Sequence, residues 1–355
     1  MELDNELKKL NGKARLLISV ELKPLQGTRF QPTGFPDIGA ATYDAPDGTK
    51  MLLVESTQSM ANHMEAVCWD NANNKLVQPL KGLPYVAVND SANKQLTNSI
   101  LEAHRINSAY ILDAENSKID KIFTEKFGKK GNKVPAKPYR SQEKKDLVTL
   151  LFEYDTSALL HGIFMPNYAG GRCRISRALS AFVEAENVNE AVSGGVKNDF
   201  INPGKGEEGG AAEGYGNVPY SRSEYTGKIT AFFSLDLAQI RNYGLGENAE
   251  KLLVTLALFK IRKVLNEGLR FRTACDLKAE TPKVDIPEGF VLPTEEELSK
   301  ELPHLIENCK SELGESPSIT EKFIPSKSKK AKDNSGGKEV EDNSGNENDD
   351  PEQKE

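Results

Sequence analysis

The chain has 355 residues, 37% hydrophobic and 28% charged, which is enough for one elaborated domain or two around a sizeable core. No apolar run reaches the roughly 18 residues that span a bilayer, and the N-terminus MELDNELKKLNGK lacks an apolar signal-peptide core, so a cytoplasmic protein without membrane partners is expected. A net charge of −7 argues at first against a polyanionic partner, but from Pro325 onward six Lys face nine Asp and Glu. Without that tail 40 basic residues stand against 44 acidic ones, a balance that permits a local basic groove.

Residues 14–23 alternate, with Leu16, Ile18, Val20 and Leu22 on one side and Arg15, Ser19, Glu21 and Lys23 on the other, the pattern of a half-buried strand. Pro24 closes it. A long polar loop with Arg29, Phe30, Gln31, Phe35 and Tyr43 follows. Loops of this length without regular structure are functional or disordered, and these aromatic residues favour an ordered binding loop. Asp37 within it is the one residue to consider for metal-assisted phosphodiester cleavage, set against a plain turn after Pro36.

A short strand at 51–54 leads into a helix at 56–69, with Ser56 as N-cap and Met60, Met64, Val67 and Cys68 as its buried stripe. Gln58, Ser59, Asn62 and His63 lie on or near its polar face, beside the end of the loop. A further helix is expected at 95–105, with apolar segments at 147–154 and 159–164. The stretch from Lys126 to Lys145 is the most basic of the chain and reads either as a solvated run or as a phosphate-binding loop.

At 172–184 a strand is expected, with Cys173 and Ile175 on one face and Arg172, Arg174 and Ser176 on the other. Those arginines suit either a phosphate backbone or carboxylates across a sheet face. The glycine-rich stretch 193–225 carries Phe200, Tyr215, Tyr220 and Tyr225, and flexible linkers usually lack aromatics. It reads as an extended arm that orders on a partner, with plain disorder as the competitor.

A strand at 227–235, a strong helix at 248–267 with Gly268 as its C′ residue, and a strand at 269–275 with Arg270 and Arg272 on one face complete the pattern. The order is β-α-β-β-α-β, so an α+β, ferredoxin-like or RRM-like core with insertions is expected. Gly244, Gly246 and Ala249 match a dinucleotide-binding spacing, but without a strand directly before them they read as a helix-entry turn.

The four cysteines, Cys68, Cys173, Cys275 and Cys309, are widely spaced, so neither a disulfide framework nor a zinc site is expected. The histidines His63, His104, His161 and His304 show no metal-ligand spacing, and no nucleophile elbow is present, so no metal, cofactor or catalytic residue is assigned.

The segments GTRFQPTGFPDIGAATY, LLVESTQSMANHMEAVCWD and GGRCRISRALSAFVEAENV closely resemble the signature of the RAMP-superfamily backbone subunit, the Cas-seven family, of the type I-G (formerly I-U) CRISPR effector. The resemblance runs from about Ala14 to Leu277. It implies a modified RRM palm at 14–69, 168–192 and 227–290, after an N-terminal extension at 1–13. A mostly finger-type helical insertion is implied at 70–167 and a thumb arm at 193–226, with Phe200, Tyr215 and Tyr220. Outside the resemblance, a C-terminal helical segment is expected at 291–324 and, from its composition, a disordered charged tail at 325–355.

It also implies a non-enzymatic subunit in a prokaryotic cytoplasm that polymerises along a CRISPR RNA. Its partners would be that RNA, target DNA, neighbouring copies and other subunits of the complex. Such a subunit must accept any guide, so its contacts should go to phosphates and sugars. Arg29, Gln31, Gln58, Ser59, Asn62, Arg172 and Arg174 are the expected backbone contacts, and Phe30 and His63 the expected stacking groups. In related type III complexes an aspartate in the loop after the first strand cuts target RNA, which makes a metal-dependent ribonuclease using Asp37 the alternative function.

Overall fold

The structure is a computed structural model and describes residues 2–35, 39–131, 141–197 and 218–324. Its frame consists of β1 (Arg15–Pro24), β2 (Lys50–Glu55), α1 (Thr57–Ala66), β3 (Leu179–Lys197), β4 (Val218–Asp236), α2 (Glu247–Glu267) and β5 (Cys275–Ala279). β1 forms as its alternation dictates: Leu16, Ile18, Val20 and Leu22 are each at most 2% exposed, while Arg15 and Lys23 stay in solvent.

β1 pairs antiparallel with β4 on one side and with β5 and the strand Lys283–Ile286 on the other. The sheet runs Arg270–Arg272, β5, β1, β4, β3, β2, Thr42–Asp44. Opposed residues share a face, so the register builds apolar rows across three strands. Ile18, Phe233 and Ala181 form one row, Val20, Ala231 and Val183 the next, and Leu22, Ile229 and Ala185 a third, all buried. α1 packs on β3 and α2, and α2 packs on β5.

Ser56 caps α1 as expected: its backbone is extended and its hydroxyl accepts the Ser59 amide at 3.2 Å. The helix is shorter than its apolar pattern suggested, because Trp69–Asp70 turns into a ribbon with Lys75–Leu76. α2 begins after Gly244 and Gly246, at φ of 64° and 95°, which makes the glycine pair a helix-entry turn. Gly268 differs from expectation. Its φ is −103°, and a Cβ there would stand 2.6 Å from Val264 Cγ2, so the glycine allows close packing and not a left-handed cap.

The helix expected at 95–105 is absent from the structure. Gln95–Asn98 is a strand paired with Val86–Asn89, and the Asn98 side chain then accepts the amides of Ile100 and Leu101 at 3.0 and 3.1 Å. Strand pairing and this side-chain turn override a weak helical pattern. The third strand of that small sheet, Ile319–Lys322, lies parallel to Val86–Asn89 and comes from more than 200 residues away. Helices Lys118–Phe127, Ser141–Tyr154 and Ser157–His161 complete the stretch before β3, and Glu295–Asn308 packs on α2.

The single strand expected at 172–184 is two. Cys173–Ile175 pairs with Ile163–Met165, the chain breaks at Ser176–Ala178, and β3 starts at Leu179. Gly162 permits the crossing, since a Cβ on it would lie 2.8 Å from the Ile175 carbonyl oxygen. β3 and β4 form one long hairpin, paired as far as Lys197 and Val218, so the ends of the expected arm are regular ladder.

Residues Met1–Phe323 make one unit and Ile324–Glu355 a second, of which Ile324 alone is described. All four cysteines are buried free thiols. No helix among the described residues is long and apolar enough to cross a membrane.

Candidate nucleic-acid interface

The loop after β1 is tied down by its backbone. The Phe30 amide donates to the Tyr225 carbonyl at 2.9 Å and the Phe30 carbonyl accepts the Tyr225 amide in return at 2.8 Å, while the Gln31 and Thr33 amides donate to the Ala274 and Val54 carbonyls. Phe30 is 0% exposed, which corrects its expected stacking role: the ring belongs to the core. Arg29 projects beside it and pairs with Glu224 at 3.0 Å, at the mouth of a cleft of about 450 Å³ lined also by Gln26, Gly27 and Thr273.

The Gln31 carbonyl accepts from Arg272 Nη1 at 2.9 Å, and Arg272 Nη2 donates to the fully buried Glu55. Arg272 therefore fastens the loop to the end of β2, whereas Arg270 points outward, 3.8 Å from Asp276. The two do not form the shared arginine face expected from alternation. Asp37 lies outside the described residues.

On α1, Gln58 and Asn62 are exposed and joined by a 3.0 Å hydrogen bond from the Gln58 amide. Ser59 is half-buried next to the cap. The His63 ring meets Phe271 edge-on at 5.0 Å. Burial holds its pKa below the usual 6.5, against the pull of nearby Glu55, so the imidazole is neutral at pH 7.

Arg172 and Arg174 are exposed and line a cleft of about 380 Å³ with Lys144, Ser176, Gln239 and Tyr243. Gln239 braces its floor by donating to the Ser176 carbonyl and the Tyr243 hydroxyl, each at 2.7 Å. A second cleft, of about 450 Å³, shares Ile175 and Ser176 with the first and adds Gln58, His104, Phe164 and Arg177. Among the described residues neither lining contains a carboxylate.

Arg177 is the residue that sequence reasoning missed. Strict alternation along 172–184 puts it on the buried side with Cys173 and Ile175. The break at Ser176–Ala178 releases it from that register, and its guanidinium donates to Gln58 Oε1. That contact makes the surface continuous. Gln31 touches Arg272, Phe271 meets His63, and Asn62 bonds Gln58, which holds Arg177 next to the Arg172–Arg174 cleft.

Phe200 and Tyr215 lie outside the described residues. The Tyr220 backbone pairs with Gly195 in the hairpin, and its side chain is outside the described set. Among the described residues no group of three His, Cys, Asp or Glu is placed to hold a metal ion.

Behind the second cleft lies a buried ionic cluster. Arg105, 4% exposed, donates bidentately to Glu65 at 2.8 and 2.6 Å and to the Gly162 carbonyl at 3.3 Å. Lys260 donates to Ser157 Oγ at 2.7 Å and lies 3.0 Å from His161 Nε2. Burial pushes the Asp155 carboxyl up to about 7, with Glu65 adding to the shift. Arg177 feels the same cluster: burial and then Arg105 lower its pKa.

A curled antiparallel sheet backed by helices, with a groove whose described lining carries arginine, lysine and amide donors and no carboxylate, defines an α+β protein with a cationic surface groove. A sequence match points to a particular family: residues 16–190 fit the model of CRISPR-associated protein GSU0053. No curated protein matches.

Among solved structures, a chain described as "CRISPR RNA-guided surveillance complex, pre-nicking" is 14% identical at a TM-score of 0.39, covering 83% of this chain and 89% of that one. Another, from a "CRISPR RNA-guided surveillance complex", is 10% identical at 0.32, covering 83% and 84%. Thermofilum pendens Csc2 is 9% identical at 0.29, covering 86% and 77%.

Proposed function

We propose that this protein is the backbone subunit of a type I-G CRISPR effector complex, binding guide RNA through the groove between the loop after β1, α1 and Arg172–Arg177. The convergence of Lys144, Arg172, Arg174 and Arg177 on two adjoining clefts carries the reading, and the family match over residues 16–190 supplies its context. Arginine and amide donors on a surface without base-shaped selectivity suit a backbone that must accept any sequence. In this reading the neighbouring strands β5, β1, β4 and β3, linked through α1 and α2 in β-α-β-β-α-β order, are an RRM-like palm. Residues 70–167 act as fingers and 193–226 as the thumb. Copies assemble along the guide in the cytoplasm, beside other subunits, and present it to target DNA.

Co-expression with a CRISPR array tests this. The protein is expected to co-purify with protected RNA whose length grows with the number of bound copies; a nucleic-acid-free monomer at low salt would refute it. Four cationic contacts to a single strand predict a slope on the order of −3 for log affinity against log salt.

The subunit binds and does not cut. Incubation with complementary RNA and Mg²⁺ or Mn²⁺ is expected to leave that RNA intact, whether residue 37 is Asp or, after Asp37→Ala, alanine. A metal-dependent cut that disappears in the Asp37→Ala variant would make the protein a ribonuclease.

A further inference from the structure

The strand Ile163–Met165 buries its first and third residues and leaves Phe164 54% exposed. It pairs with Cys173–Ile175 in a register that sets Phe164 directly opposite Arg174. Opposed residues share a face, so an aromatic plane and a guanidinium project side by side from one small ribbon. Phe164 also borders the cleft that holds Gln58, His104 and Arg177. A large ring left in water beside the exposed Arg174 is the composition of a stacking platform, where a cation tracks the phosphate and the ring takes the base.

A second observation points the same way. His161 borders this cleft and is 1% exposed, and its Nδ1 has no hydrogen-bond partner among the described residues. Burial and the nearby cations hold the imidazole well below its usual pKa, so the ring is neutral. With Lys260 donating to Nε2 at 3.0 Å, the ring proton sits on Nδ1, a buried donor lacking an acceptor. Native interiors rarely leave such a group unmatched. A ligand carbonyl or ring nitrogen would match it.

We propose that this cleft holds one nucleotide of a single-stranded RNA, with its base against the Phe164 ring and its phosphate at Arg174. The proposal rests on the RNA-binding reading above and reassigns the stacking role from Phe30 to Phe164. Stacking on a bare ring tolerates every base, so the site adds affinity without restricting the guide.

The test uses the purified full-length chain, a short single-stranded RNA, and an abasic ribose-phosphate oligomer of the same length, with binding read by fluorescence anisotropy. Phe164→Ala is expected to weaken RNA binding about 5- to 150-fold, the range of one base–aromatic stack, with an unchanged salt slope. Phe164→Leu, which keeps an apolar side chain but no ring, should fall with it, whereas Phe164→Trp should bind like the parent. The abasic oligomer should bind the parent and Phe164→Ala alike. If the parent binds RNA and Phe164→Ala stays within twofold of it, the stacking site is wrong and the groove remains an RNA site. If Phe164→Ala weakens the abasic oligomer equally, the ring acts through packing and the proposal falls. If the parent binds neither oligomer, the RNA-binding reading fails and takes this proposal with it.

Discussion

Arg105→Ala is expected to destabilise the protein by about 3–5 kcal/mol, the cost of removing one partner from a buried ion pair. The guanidinium holds both oxygens of Glu65, which is 1% exposed, and the Gly162 carbonyl. Without it, the buried Glu65 side chain keeps the Ser157 hydroxyl, at 3.4 Å, as a neutral donor. Denaturant unfolding should show a lower midpoint at an unchanged m-value.

The deficit should also depend on pH. Burial already raises the Glu65 pKa, and Arg105 opposes that rise. In the variant the folded state therefore keeps a proton that the unfolded state releases above its ordinary 4.5. Stability then falls as pH rises through the gap between the two values, so the loss is larger at pH 8 than at pH 5. A deficit that is equal at both pH values would mean that Glu65 is not the group left uncompensated.

Reversing two groove charges, Arg172→Glu with Arg174→Glu, is expected to lower RNA affinity at least about 100-fold at physiological salt. The estimate follows from two charge-assisted hydrogen bonds at about 1.5–3 kcal/mol each, before any repulsion from the new carboxylates. The salt slope should become shallower by about 1.4, two single-strand phosphate contacts. Both side chains are exposed, so thermal stability should move little. Equal affinity with an unchanged slope would place the RNA elsewhere on the protein.

Much of the frame was legible in the chain because its causes are local. Alternation over residues 14–23 specifies β1 whatever its neighbours are. Ser56 before a run of helix formers specifies the start of α1, and the apolar stripe after Gly246 specifies α2. The polar face of α1 was legible for the same reason, and Gln58 and Asn62 are exposed there as expected.

Tertiary structure decided what depended on distant partners. Phe30 looked like a loop aromatic, but Tyr225, almost 200 residues later, captures its backbone and draws the ring into the core. Gln95–Asn98 became a strand because Val86–Asn89 offered a ladder edge, itself completed by Ile319–Lys322. Arg272 carried the same alternation signal as Arg174, yet a buried carboxylate at Glu55 claims the first and an open cleft receives the second. Arg177 entered the groove because Gly162 let two segments cross closely enough to break a strand that periodicity had drawn as continuous. Hydrophobic period and capping act within a few residues and can be read along the chain. Which donor meets which acceptor across the fold is set by three-dimensional closure, and the groove is built from those meetings.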